Sequence, residues 1–277
     1  MSEECGLLNL ATCIPEKLYD YFLNIINAPI QPLLTFVKSL LTEPVNISLF
    51  GSIWAIIIYI LSMFYGLLLL YSGFNFMISG YDAVKREKAK EWFRNIFIMM
   101  IMIQMSYFIY SIVIDMNSLM TSGIINLTDE KFFLLTADNL INLGLQFFLG
   151  IFYVLTLIFS VIFLALRYII VAIGIVFLPI GIFFYFIPPL NSYGRLIVNF
   201  LGICIFVTFF DSLILLAGSK LVELSIFANF KIVVMISVFS IANFLMFYLM
   251  FFSALKSAFK TGESIAGTVA SVAKYFA

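Results

Sequence analysis

The chain has 277 residues, of which 64% are hydrophobic and 11% are charged. Soluble domains carry about 25% charged residues, so this composition excludes a water-soluble domain and indicates an integral membrane protein. The formal net charge is zero, which argues against an overall basic surface for nucleic acid. Histidine is absent, which excludes catalytic triads with histidine, HExxH zinc sites and His-ligated haem.

The first 48 residues form an N-terminal region of mixed character. Polar side chains recur at three- and four-residue spacing between residues 15 and 42, which predicts amphipathic helix. Pro29 and Pro32 divide this stretch into two predicted half-helices. The region either lies in the membrane interface, on the outer side, or packs on neighbouring spans.

Three cysteines are present. Cys5 and Cys13 are close enough in sequence to form a disulfide if this end of the chain faces an oxidising compartment, and two unpaired thiols are the alternative. Cys204 lies in an apolar run and is expected to be a small packing residue.

The middle of the chain, residues 49–255, contains repeated uncharged runs of about 20 residues, the length that crosses a hydrocarbon core as helix. The run 139–187 is interrupted only by Arg167 and is too long for one straight crossing, so we divide it there by a tight turn. If it crosses once instead, the number of spans falls from six to five. The six predicted spans are residues 49–79, 95–114, 139–166, 168–187, 197–217 and 232–255.

Basic residues near the span ends predict the orientation. Residues 80–94, which we call the basic elbow, carry five cations, whereas residues 115–138 carry a single lysine. The elbow is therefore expected in the cytoplasm and the N-terminus outside. Six spans put 8 basic residues inside and 7 outside, with the C-terminus outside. Five spans put 9 inside and 5 outside and leave Arg167 in the membrane, with the C-terminus inside. Length favours six spans and charge favours five.

The basic elbow is a candidate docking surface for a cytoplasmic partner, with topogenic charge alone as the alternative explanation. Its pairs Asp82–Arg86 and Glu87–Lys90 have helical spacing and are expected to stabilise a helix. The candidate docking residues are Lys85, Arg86, Lys88 and Lys90.

Arg167 and Asp211 are charges within apolar sequence and form a candidate polar core inside the membrane. Such charges are costly in lipid and are usually paired, so we expect a salt bridge between their spans; a proton relay at Asp211 or a polar cavity are the alternatives. Pro179 is expected to kink its span, and Pro188 begins a turn that extends to Arg195. Residues 256–277 are predicted to form an amphipathic tail with small residues at four-residue spacing.

Two segments carry a resemblance to a known family. The first is the glycine-then-basic junction Tyr71-Ser72-Gly73-Phe74 followed by Gly80 to Lys90; the second comprises Arg167, Pro179, the turn from Pro188 to Arg195 and a further apolar span. Their order over about residues 49–255 resembles the TrbL family of polytopic inner-membrane subunits of conjugation and type IV secretion machines. A related subunit serves DNA import in the archaeal Ced apparatus.

This resemblance implies a membrane channel or platform subunit of a conjugation-like DNA-transfer machine, importing DNA in an archaeon. It implies a secretion-type ATPase and small pilin-like membrane subunits as partners, DNA as the transported substrate, contact with membrane lipid and a homo-oligomer. It implies no catalytic residue, metal or cofactor, so an enzyme is not expected. A stand-alone secondary transporter or permease for a small solute is the alternative. The expected fold is an all-α membrane bundle of about six transmembrane helices, with five possible.

Overall fold

The computed structural model describes residues 10–128, 133, 143–228 and 230–252. Within these residues the secondary structure is helical and no strand occurs. Helical turns at Ser48–Phe50, Ser79–Tyr81 and Pro188–Leu190 connect longer helices. The helices are α1 (Leu10–Thr42), α2 (Gly51–Ile78), α3 (Ala83–Gln104), α4 (Ser106–Ile125), α5 (Leu143–Phe186), α6 (Asn191–Val222), the single turn α7 (Ser225–Ala228) and α8 (Lys231–Phe247), which a π-helical turn extends over Tyr248–Phe252.

Five helical segments in the described part of the chain are long and apolar enough to cross a membrane. In lipid a backbone must satisfy its hydrogen bonds internally, and a continuous helix does so. The prediction of an all-α, multi-pass membrane protein is confirmed. The five segments are Ser48–Ile78, Ser106–Ile125, Phe148–Phe186, Pro188–Val222 and Lys231–Phe252.

The predicted turn at Arg167 is wrong, and with it the division of residues 139–187 into two spans. Helix α5 runs without interruption for 44 residues, roughly 66 Å at about 1.5 Å per residue. No glycine, proline or asparagine near Arg167 breaks the helix, and the side chain finds acceptors inside the protein instead of in water. A helix longer than the hydrocarbon core is accommodated by tilting or by projecting beyond it.

The second predicted span, residues 95–114, is also displaced. α3 ends at Gln104, α4 begins at Ser106, and the apolar segment that can cross the membrane is Ser106–Ile125. The predicted span ends at Ile114 because the charged Asp115 follows it. The structure continues as helix because α4 buries several of the polar residues that follow, including Asn117 and Thr121.

Two predicted breaks are helical in the structure. Pro29 and Pro32 lie inside the single helix α1, and the turn expected to reach Arg195 ends at Leu190, after which α6 begins at Asn191. Proline fixes φ near its helical value and removes one hydrogen bond, so a helix can continue through it when its neighbours hold it. α5 likewise continues on both sides of Pro179, and the bend expected there stays a prediction.

The chain divides into two compact units. One consists of residues 1–43, 118–166 and 208–246, and its core includes Tyr153, Leu157 and Phe239. In it the Tyr153 and Phe239 rings meet edge to face with centroids 5.9 Å apart. The second unit consists of residues 44–117, 167–207 and 247–277, and it contains the first segment of the family resemblance and the part of the second from Arg167 to Arg195. We call it the elbow unit.

Candidate functional site

Arg167 is the most deeply buried cation among the described residues of the elbow unit. It lies on α5 with 2% of its surface exposed. Its Nε donates to the main-chain oxygen of Cys204 at 2.8 Å, and its Nη2 donates to that of Ile205 at 2.9 Å. The planar fork of a guanidinium can bind two neighbouring acceptors at once, which an ammonium group does not do with fixed geometry. Arg167 therefore ties α5 to two consecutive carbonyls of α6.

Tyr110 of α4 contacts α5 close to Arg167. Its hydroxyl donates to the main-chain oxygen of Val171 at 2.7 Å, and the side chain is buried. Gly174, less than one turn further along α5, leaves the space that this ring occupies, because a Cβ on Gly174 would collide with the Tyr110 hydroxyl and the Leu201 side chain. A glycine thus lets a polar aromatic side chain reach a backbone carbonyl.

α5 and α6 approach closely where they meet near their connecting turn. A Cβ on Gly194 would collide with the main chain of Tyr185, and would lie 2.6 Å from the oxygen of Gly181. The Asn191 amide donates to the oxygen of Tyr185, and the Arg195 guanidinium lies 5.6 Å from the Tyr185 ring centroid. Small residues allow helices to pack closely in lipid, where burial provides little drive for association.

Asp211, the second predicted core charge, is also buried in α6, with 2% of its surface exposed. It belongs to the unit that contains residues 208–246, whereas Arg167 belongs to the elbow unit. The ion pair predicted between these two residues stays a prediction, as does a proton relay at Asp211. Cys5 lies outside the described residues and the side chain of Cys13 is not among those described, so their disulfide also stays a prediction, as does the amphipathic tail over residues 256–277.

The basic elbow joins α2 to α3 through an aspartate cap. Asp82 precedes α3 and accepts hydrogen bonds from the backbone N–H groups of Val84 at 3.0 Å and Lys85 at 3.3 Å. Such a cap satisfies N–H groups that have no partner within the helix. The Asp82 carboxylate also pairs with the Lys85 ammonium at 3.9 Å, so its ion pair is with Lys85 and not with the predicted Arg86.

A groove of about 770 Å³ lies between α2 and α3 at this elbow. We call it the elbow groove. Of the four predicted docking residues, Arg86 and Lys90 line it and Lys85 and Lys88 do not. Its lining includes Ser72, Gly73 and Phe76 of α2 and Arg86, Glu87 and Lys90 of α3. The structure thus divides one run of basic residues into a pair that faces the groove and a pair that faces elsewhere.

Sequence reasoning identified Arg167 and the elbow cations but missed Tyr110 and Gly194. Tyr110 occurs in an apolar run in which nothing separates it from its aromatic neighbours. Gly194 follows the Pro188-Pro189 pair, a signal for a tight connection, although the structure makes it a helix contact and not a turn residue. Among the described residues, no group of three or more cysteine, aspartate or glutamate side chains could hold a metal ion.

Comparison of the chain with known protein families, with curated proteins and with solved structures finds no match. The geometry of the elbow unit and the residues that build it therefore carry the functional argument.

Proposed function

We propose that this chain is a membrane platform or channel subunit of a conjugation-like, type IV secretion-related machine that transfers DNA, and that it serves DNA import in an archaeon. One observation supports this most. The junction from Tyr71 to Lys90 and the stretch from Arg167 to Arg195, which carry the TrbL-like features other than the further apolar span, belong to the same compact unit although about 80 residues separate them in sequence.

The surface of α2 suits a subunit of a membrane assembly. Most of its large apolar side chains are exposed, so lipid or other membrane-embedded subunits are expected to cover them. Within one unit, the basic elbow adds a hydrophilic contact area next to this apolar surface. A chain that works beside a separate ATPase needs both kinds of surface. The exposed apolar side chains of α2 include Ile53, Ile56, Tyr59, Met63, Leu67 and Leu70.

The proposal assigns the energy source to a partner. The sequence contains no phosphate-binding loop of the GxxxxGK[ST] type, so a secretion-type ATPase would have to drive transfer. Small pilin-like membrane subunits would complete the conduit, and a homo-oligomer would surround it. Lys85, Arg86, Lys88 and Lys90 would contribute the contact with the cytoplasmic partner.

Deletion of the gene in its native host, combined with a marker-transfer assay between cells, tests this function. We expect transfer to disappear in the deletion strain and to return with the wild-type gene. A photo-crosslinking residue at Lys88 should capture an ATPase, whereas one at Tyr59 on the apolar surface of α2 should not. Unchanged marker transfer in the deletion strain would overturn the proposal, and energy-dependent uptake of a small solute lost in that strain would favour the transporter.

A further inference from the structure

Among the residues that the structure describes, the two cations that line the elbow groove have no carboxylate partner. Lys85 pairs with Asp82 and Arg94 pairs with Glu91, each at 3.9 Å. In the described part of the chain, neither Arg86 nor Lys90 has an Asp or Glu oxygen within 4.0 Å. They are four residues apart on α3 and so lie on one face of the helix, where their like charges repel each other. An anion in the groove would relieve this repulsion.

A buried hydroxyl of α2 also lines the groove. Ser72 has 1% of its surface exposed, and its Oγ has no hydrogen-bond partner among the described residues. Helical serines commonly bond to a carbonyl of the preceding turn, as Ser79 does here with Phe76 at 2.9 Å. Leaving a buried polar group without a partner is energetically unfavourable, so an acceptor that enters the groove would find a donor already in place.

Glycines keep the groove open and extend it along α2. A Cβ on Gly73 or on Gly80 would meet no atom within 4 Å, although both residues line the groove. Gly73 also lines a second groove of about 300 Å³, which continues over Gly66, Leu70 and Met77. Because Gly73 lines both, the charged elbow groove is continuous with the apolar groove along α2.

We propose that the elbow groove binds the phosphate group of an anionic lipid, with an acyl chain in the apolar groove along α2. Arg86 and Lys90 hold the phosphate oxygens and the Ser72 hydroxyl donates to one of them. Basic pockets between transmembrane helices next to the cytoplasm are suited to lipid head groups. This inference does not depend on DNA transfer.

The charge of the lining and the location of the groove together suit a lipid better than free phosphate. Arg86 and Lys90 together with Glu87 give the lining a net charge of +1. A phosphodiester carries a single negative charge and matches it, whereas free phosphate at neutral pH is a mixture of singly and doubly charged forms. The location agrees, because the last residues of α2 are exposed apolar side chains, with Met77 68% and Ile78 77% exposed, directly before the basic elbow. Lipid tails contact such side chains, and water-soluble anions do not.

Native mass spectrometry of the full chain, released from detergent micelles with added lipid, tests the proposal. We expect phosphatidylglycerol to bind in preference to phosphatidylcholine. The double variant Arg86→Gln/Lys90→Gln should bind phosphatidylglycerol about 30-fold more weakly, because both cations that hold the phosphate oxygens are lost. The double variant Lys85→Gln/Lys88→Gln removes the same charge from the same elbow and should change binding less than about twofold, because charge alone is not the proposed cause.

Two glycine substitutions test whether the space in the groove, and not charge alone, determines lipid binding. Gly73→Leu should abolish the preference for phosphatidylglycerol, whereas Gly123→Leu, at another open helical glycine on α4, should leave it unchanged. Inorganic phosphate added at the same concentration should not displace the lipid. Equal losses in both glutamine double variants, binding that survives Gly73→Leu, or displacement by inorganic phosphate would each overturn the proposal. Lipid binding is measured on purified protein, so its failure is distinguishable from a failure of DNA transfer.

Discussion

The guanidinium of Arg167 is bonded to the backbone of α6 at Cys204, with its Nε 2.8 Å from the carbonyl oxygen. A second bond to the next carbonyl completes the fork. Within α6 these carbonyls are helical acceptors, and each has a lone pair left for a further donor. The arrangement explains why a charge inside an apolar run does not end the helix there. The membrane segment containing Arg167 stays continuous because the arginine reaches acceptors on its neighbour.

Arg167→Lys tests the fork. Lysine keeps the positive charge but cannot hold both carbonyls in fixed geometry, so we expect the free energy of unfolding to fall by about 1–2 kcal/mol, within the range measured for hydrogen bonds in membrane proteins. Unfolding in micelles can be followed by the fluorescence of Trp54 and Trp92. The control is Arg195→Lys, whose cation faces the Tyr185 ring and should change stability by less than about 0.5 kcal/mol. Equal effects of the two substitutions would contradict the assigned role.

Gly194→Ala tests the close contact between α5 and α6. The added methyl group would overlap the main chain of Tyr185, so one helix must move, and we expect a loss of about 2 kcal/mol or more. Gly202→Ala on the same helix meets no atom within 4 Å and should raise stability by up to about 1 kcal/mol, because alanine favours helix over glycine. The opposite signs of the two changes are the result to look for in the same unfolding assay. A neutral Gly194→Ala variant would show that the helices do not approach as described.

Tyr110→Phe removes a single hydroxyl from the core of the elbow unit. The carbonyl of Val171 remains within its helix, so we expect a modest loss of about 1 kcal/mol. Tyr59→Phe removes a hydroxyl from a side chain that is 65% exposed, and should have no measurable effect. Thermal unfolding of both variants, compared with wild type, makes the measurement. A larger loss for Tyr59→Phe than for Tyr110→Phe would be inconsistent with the buried bond.

The five membrane-crossing segments predict which side of the membrane the C-terminus occupies. If the five segments found in the described residues are the crossings, the N- and C-termini are expected on opposite sides, with the C-terminus on the side of the basic elbow. In a background without the three native cysteines, Lys88→Cys and Ser271→Cys should react with an impermeant thiol reagent from the same side. Labelling from opposite sides would indicate an even number of crossings, which would require an additional crossing outside the described residues.

The sequence predicted the class of the protein better than it predicted the bounds of its helices. Apolar runs without charges indicated a helical membrane protein because a bilayer leaves few other solutions for a spanning chain. The bounds were wrong at Arg167, near Asp115, at Pro29 and Pro32 and after Pro188, where each interpretation treated a charge or a proline as a stop. A charged residue can lie within a span when other residues of the protein supply hydrogen-bond partners for it. A helix can likewise continue through a proline when the residues packed around it support the helix.

At the basic elbow, too, the sequence predicted which residues matter, and the structure decided how they are arranged. Composition and spacing alone identified Lys85, Arg86, Lys88 and Lys90 as one cluster, because position along the chain does not say which way each side chain faces. The aspartate cap and the helix it begins decide that Arg86 and Lys90 line the groove while Lys85 pairs with Asp82. The groove itself lies between two helices and beside two glycines, Gly73 and Gly80, at which an added Cβ would meet no atom within 4 Å.

By itself, the sequence determined that the chain is helical, embedded in a membrane and basic at one elbow, because these properties depend on local composition and on the cost of exposing polar groups to lipid. Only the tertiary structure decided that Arg167 lies inside a continuous helix and which elbow cations share a groove. Those outcomes depend on residues distant in sequence, such as Cys204, whose carbonyl oxygen accepts from Arg167, and Ser72, which lines the same groove as Lys90.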